Sequence, residues 1–343
     1  MSGDAKDGGN VRTHERTILL TLAMVVAAAL SRPSGQRADA RQPAERSWTQ
    51  PRTPWGDPDL GGVWTTDNNF TIPLERPAGV ADKVFLDGKE LEEALATRAR
   101  TINAVENGGG VGAGPTHWYE TLTARSRRSS LIIDPPNGRL PAFTPAARQR
   151  ADAARVPSGR GPADSWEDRS LWDRCITVGL PYVMFPTGYN NNVKILQAPG
   201  YVTITHEMIH DTRIVPLDGR PHLSPAIRQY MGDSRGRWNG NTLVIDVTNF
   251  HPSVTTFHPT ANFRGSGATL HLIERYTRTG RDQMHYEVTV DDPGTFERPY
   301  TAVLDLSTQE SIYEYACHEG NRGLENILSA ARSEERAAAA SAR

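Results

Sequence analysis

From residue 193 to residue 317 the chain falls into short segments of alternating polar and apolar side chains, and this pattern constrains the fold more than any other feature. The segments are 193–198, 201–210, 212–217, 242–249, 269–278, 283–291, 301–306 and 312–317. Alternation with a period of two puts successive side chains on opposite faces, as in a strand with one buried side. Pro199-Gly200, Asp218-Gly219, Asn239-Gly240 and Thr279-Gly280 fall between segments as turn-forming pairs. The pattern predicts a mainly β protein: an antiparallel meander, eight-stranded and barrel-like, with N-terminal helices and long loops. A barrel of that size holds a packed core or one small ligand.

Upstream of residue 193 the texture differs. Short strands are expected at 62–66 and 130–134, and helices over 87–105 and 144–155, the second capped by Thr144 with Pro145 in its first turn. The glycine-rich stretch 108–114 has neither a strand before it nor a Lys-Ser/Thr pair after it, so it does not read as a phosphate loop. At the N-terminus, Arg12 and Arg16 precede an apolar run at 18–30, and Ala38-Asp39-Ala40 offers a small-residue cleavage site. That is the layout of an export signal, and the run is short for a membrane span. The expected organisation is a signal peptide at 1–40 and a tether at 41–54. A helical and loop segment at 55–192 then packs on the barrel core at 193–320, and 321–343 forms a helix or tail. The mature chain is expected to be periplasmic or secreted, with no membrane span left.

Export bears on the cysteines. Cys175 and Cys317 are too few for a disulfide scaffold, but in an oxidising compartment they are expected to pair; two buried thiols or one reactive thiol are the alternatives. The 38 Lys and Arg against 40 Asp and Glu leave a net charge of −2, which argues against a nucleic-acid partner held by broad phosphate neutralisation.

Four motifs carry a resemblance: 55–60 (WGDPDL), 130–136 (SLIIDPP), 232–238 (GDSRGRW) and 316–321 (ACHEGN). Together they resemble a large family of exported proteins of soil bacteria, over most of the mature chain. The resemblance implies export and a single unit, and it implies no activity. In that family the position of His206 is less regular, so this histidine is a departure from the pattern.

His206-Glu207-Met208-Ile209-His210 is a literal H-E-x-x-H string. On a helix it would place both histidines on one zinc ion with the glutamate as base. The flanks, 201–205 and 212–216, favour strands instead. A strand puts Val202, Ile204, His206, Met208 and His210 on one inward face, with Glu207 opposite. The same parity sets Glu274 with Leu270 and Leu272, Glu314 and His318 with Ile312 and Ala316, and makes Met284, Tyr286, Val288 and Val290 an apolar row. The expected interior therefore holds His206, His210, Glu274, Glu314 and His318, with Glu319 a partner at the mouth. Buried carboxylates need cationic or metal partners or raised pKa values, so the set is an acid–base or metal candidate. His206, His210 and His318 are candidate ligands of a divalent transition metal. Arg213 is a candidate anion anchor, with Tyr313 and Asn321 as further ligand contacts. Arg213, Arg220, Arg228, Arg235 and Arg237 otherwise pair with Asp211, Asp218 and Asp233 at the surface.

These residues suggest an exported enzyme acting on a small, partly apolar organic molecule as a lyase, isomerase or hydrolase. The alternatives are a periplasmic small-molecule binding protein without chemistry and, third, a zinc peptidase with 206–210 helical.

Overall fold

The computed structural model describes residues 48–80, 82–107, 126–153, 163–254 and 266–342. Its strands are β1 (Gly62–Thr65), β2 (Ile132–Asp134), β3 (Asn192–Ala198), β4 (Tyr201–His206), β5 (Thr212–Pro216), β6 (Asp233–Asn239), β7 (Thr242–Thr248), β8 (His271–Gly280), β9 (Gln283–Asp291) and β10 (Tyr300–Thr308). The helices are α1 (Gly88–Asn107), α2 (Pro145–Ala153) and α3 (Gly323–Ser341).

Strands β3 to β5 form one antiparallel meander and β6 to β10 another. β1 lies between β3 and β10, antiparallel to both, and the order is β5-β4-β3-β1-β10-β9-β8-β7-β6. β2 pairs with β10 off this path. The nine-stranded sheet is nearly closed into a barrel, and its two end strands meet through side chains. A Cβ on Gly236 of β6 would lie 2.5 Å from Leu217 Cδ2 and 2.7 Å from Val215 Cγ1. Only a residue without a side chain lets β5 come this close.

The mainly β, barrel-like architecture with helices and loops is the one the alternation predicts. Turns follow the chemistry of their residues: Gly200 (φ +78°) and Gly240 (φ +60°) occupy left-handed positions in the β3–β4 and β6–β7 hairpins. Thr144 caps α2, accepting from the Ala147 N–H at 3.2 Å. Two details of the strand plan are corrected. Residues 312–317 form no strand; they run as irregular chain across one end of the barrel. The barrel instead recruits β1 from the N-terminal segment, and β6, whose sequence DSRGRWN has no apolar alternation to announce it.

Inward-facing rows fill the interior. Trp64, Ile204, Leu243, Tyr276, Tyr286, Val288 and Leu304 are fully buried in one cluster, each aliphatic member contributing about 1.5–3 kcal/mol. Cys175 and Cys317 are joined in a disulfide, Cα–Cα 5.7 Å, across 142 residues of chain. Among the described residues no helix is long and apolar enough to cross a membrane. The apolar run at 18–30, its cleavage site and the glycine-rich stretch 108–114 lie outside the described residues.

Candidate functional site

Parity on β8 carries Glu274 inward between Leu272 and Tyr276, and on β5 it carries Arg213 inward beside Val215. The two meet as a bidentate pair, Nη2 to Oε1 at 2.8 Å and Nη1 to Oε2 at 2.5 Å, with side chains 4% and 0% exposed. Tyr276 and Tyr286 donate their hydroxyls to Glu274 Oε1 at 3.1 and 2.9 Å, and Arg213 reaches the Tyr276 oxygen at 3.2 Å and Ser234 Oγ at 3.4 Å. Burial and the nearby Glu274 carboxylate raise both tyrosines well above the usual phenol range. The Glu274 carboxylate thus has its oxygens answered by four donors, which is what makes its burial tolerable.

His206 ends β4 with its ring inside the barrel, 1% exposed. Neither ring nitrogen has a hydrogen-bond partner among the described residues, and neither does Arg213 Nε. Burial, then the charge on Arg213, pushes His206 down to about 3, so it is neutral at ordinary pH.

At the mouth the chain leaves β4 through a tight turn. Ile209 (φ 59°) and His210 (φ 48°) are both left-handed, and the His206 N–H returns to the Asp211 carbonyl at 2.8 Å. Glu207 tucks in, 1% exposed, its Oε1 accepting from Asn190 Nδ2 at 3.2 Å and from the Tyr313 N–H at 3.0 Å. Oε2 of Glu207 has no partner among the described residues. Asp211 accepts from Thr177 Oγ1 at 2.6 Å; burial raises its carboxyl to about 6 against that bond and the Val178 N–H. His210 Nδ1 lies 3.2 Å from the Tyr315 carbonyl. Three distant stretches therefore build the mouth: 172–191, the 206–211 turn, and 313–317, the last held by the disulfide.

Between them lies a cleft walled by Trp172, Val178, Tyr182, Val183, Phe185 and Met208, with Thr187, Asn190 and Asn191 as its polar edge. It has about 240 Å³ of unfilled space, open solvent included, and the whole cleft has room within its walls for about one water. The turn Tyr182–Met184 is the partition beneath it: Tyr182 and Val183 face the cleft, while Met184 is fully buried with its sulfur 4.0 Å from the Tyr276 hydroxyl.

No protein-family model matches the chain, and no curated protein does. Among solved structures it is similar to a secretary abundant heat soluble (SAHS) protein from Ramazzottius varieornatus, at 13% sequence identity. The likeness covers 41% of this chain and 87% of that one, with a TM-score of 0.23, a level that carries no inference about function.

Of the expected interior set, the structure buries His206 and Glu274, and it adds Arg213 to them. His210 is exposed rather than inward, because β4 stops at His206 and the left-handed pair turns the chain. The H-E-x-x-H string is therefore no helix with its histidines on one side: one ring is inside and the other outside. Glu207 sits buried at the mouth, not on the outer face. Glu314, His318 and Glu319 lie on exposed irregular chain, since no strand exists there to aim them. Among the described residues no group of three His, Cys, Asp or Glu is placed to hold a metal ion, and His206, His210 and His318 do not converge. Arg213 is an interior partner of Glu274 rather than a free anchor at the surface. Arg220 and Arg235 do pair locally, with Asp218 and with Asp233. The Tyr313 side chain is 71% exposed and joins the mouth only through its backbone. Asn321 is exposed; its Oδ1 accepts from the Gly323 N–H at 2.8 Å at the start of α3, and its Nδ2 reaches Cys175 Sγ at 3.4 Å. Sequence reasoning missed Tyr276 and Tyr286 as partners of Glu274, although Tyr286 sits on an inward row it had drawn and Tyr276 is the next inward position after Glu274. It also missed the cleft residues 172–191, for which no periodic signal exists.

Proposed function

We propose that the chain is an exported protein that binds a small, partly apolar organic molecule at the mouth of its barrel. The observation that carries this reading is the cleft: aromatic and aliphatic walls with a few amide and hydroxyl groups at one edge, the composition of small-molecule sites in general. Export is supported by the Cys175–Cys317 disulfide, a bond that persists in oxidising compartments. The interior acid–base set favours binding over turnover. Glu274 is locked by four donated hydrogen bonds, and His206 is buried with no carboxylate among the described residues to orient it.

Fluorescence titration of the oxidised full chain with N-phenyl-1-naphthylamine, a neutral apolar probe, tests the reading. Saturable one-site binding is expected, weakened about tenfold by Trp172→Ala, since large aromatic contacts dominate such sites. Absence of saturation, or a titration indifferent to Trp172→Ala, rejects it.

One observation favours a catalytic variant of the same site. Asp211, raised to about 6 behind the cleft wall, has the proton affinity of a general acid or base near neutrality. Any turnover found in a substrate screen is then expected to titrate near pH 6 and to lose that limb in Asp211→Asn.

A further inference from the structure

The barrel interior holds one feature that neither the core nor the cleft accounts for. His206 presents two ring nitrogens, and Arg213 its Nε–H, all buried and none with a hydrogen-bond partner among the described residues. Buried polar atoms left unanswered are destabilising and rare in native structures, so several in one place indicate a missing partner. The two side chains are neighbours: Ile204 pairs directly with Arg213 across β4 and β5, and His206 stands two residues further along the same face. That diagonal spans roughly 7–8 Å between Cα atoms, within reach of long side chains.

We infer that His206 and Arg213 receive the neutral hydroxyl head of the molecule bound at the mouth, an assignment that rests on small-molecule binding in the cleft. The charge balance selects a neutral head. Arg213 is already paired with Glu274, and His206 is uncharged because burial and Arg213 oppose its protonation. An anion would therefore meet no net positive charge, while a cation would meet the guanidinium. The hydrogen-bond count selects the group. A neutral imidazole offers one N–H and one acceptor nitrogen, and Arg213 adds a second N–H. An alcohol, which both accepts and donates, can answer one of the ring nitrogens together with the Arg213 Nε–H, the two ring nitrogens pointing too far apart for a single oxygen to meet both. The turn Tyr182–Met184 stands between the two regions: Tyr182 and Val183 line the cleft, and the flexible thioether of Met184 lies over the Tyr276 hydroxyl that Arg213 reaches.

Matched probes test this in the oxidised full chain: 2-naphthol, naphthalene and 2-naphthoate, titrated by displacement of N-phenyl-1-naphthylamine. The expected result is 2-naphthol tighter than naphthalene by about tenfold or more, as for sites built to hydrogen-bond a hydroxyl, and 2-naphthoate no tighter than 2-naphthol. His206→Phe should erase the preference while naphthalene still binds, and His206→Gln, which keeps a donor and an acceptor, should restore part of it. Should His206→Phe fail to fold, the imidazole ¹⁵N resonances of the unmutated chain give the same answer, by moving with 2-naphthol and not with naphthalene. Equal affinities for 2-naphthol and naphthalene, or a preference that survives in His206→Phe, overturn the assignment and leave the interior atoms to water. Failure of every probe to bind removes the cleft reading itself, and this assignment with it.

Discussion

Where β1 enters between β3 and β10 it exchanges main-chain hydrogen bonds on both sides, Gly62 to Thr65 against Ile195 to Asn192 and Trp64 and Thr65 against Thr308 and Ser307. Where β5 meets β6, the strands make no ladder, and the gap is closed by Val215 and Leu217 over Gly236 and by Arg213 reaching Ser234 and Glu274. The first seam rests on groups that every residue carries, so it tolerates substitution. The second rests on particular side chains, each fitted to the others. A sheet joined by backbone on one side and by side chains on the other concentrates its sensitivity to mutation along the second line. The His206–Arg213 patch lies beside that line.

The contrast can be broken at its strongest point by Glu274→Gln. This leaves Arg213 buried without its carboxylate, and thermal or denaturant unfolding should register a loss of about 3–5 kcal/mol. Acid acts on the same side of the barrel. The folded state holds His206 near 3, well below its ordinary 6.5, so the unfolded chain takes up a proton that the native chain refuses. The resulting stability is intact above pH 6.5 and is lost as pH falls toward 3, at about 1.4 kcal/mol per pH unit where steepest. Stability measured against pH in His206→Leu should lack that component; an unchanged acid limb would refute it. Gly236→Ala should cost about 1–3 kcal/mol by overpacking against Val215 and Leu217; a neutral result would mean that β5 and β6 separate freely. The smallest effect is expected at the other seam, where Val63→Ala on β1 leaves the ladder intact and should change unfolding by under about 0.5 kcal/mol.

The same difference explains what the amino-acid order revealed. Glu274 was legible because Leu270 and Leu272 fix its parity on a long, regular strand. His206 was legible for the same reason, with Val202 and Ile204 before it. His210 was not, because two consecutive non-glycine residues in left-handed conformation leave no mark in composition. β6 was hidden because its inward positions are Ser234 and Gly236, chosen to admit β5 rather than to look apolar. The mouth was hidden more deeply. Thr177, Asn190, Glu207, Asp211 and Tyr313 meet there from three separate stretches, each irregular by itself.

Cys317 lies beyond the last strand, so every strand of the barrel precedes it in the order of synthesis. The bond to Cys175 cannot form until residue 317 has been made, after all of them. The mouth is therefore the last part of the molecule to be finished. A chain cut short after β10 would carry all ten described strands and lack the 313–317 stretch that meets Glu207, His210 and Cys175 at the mouth.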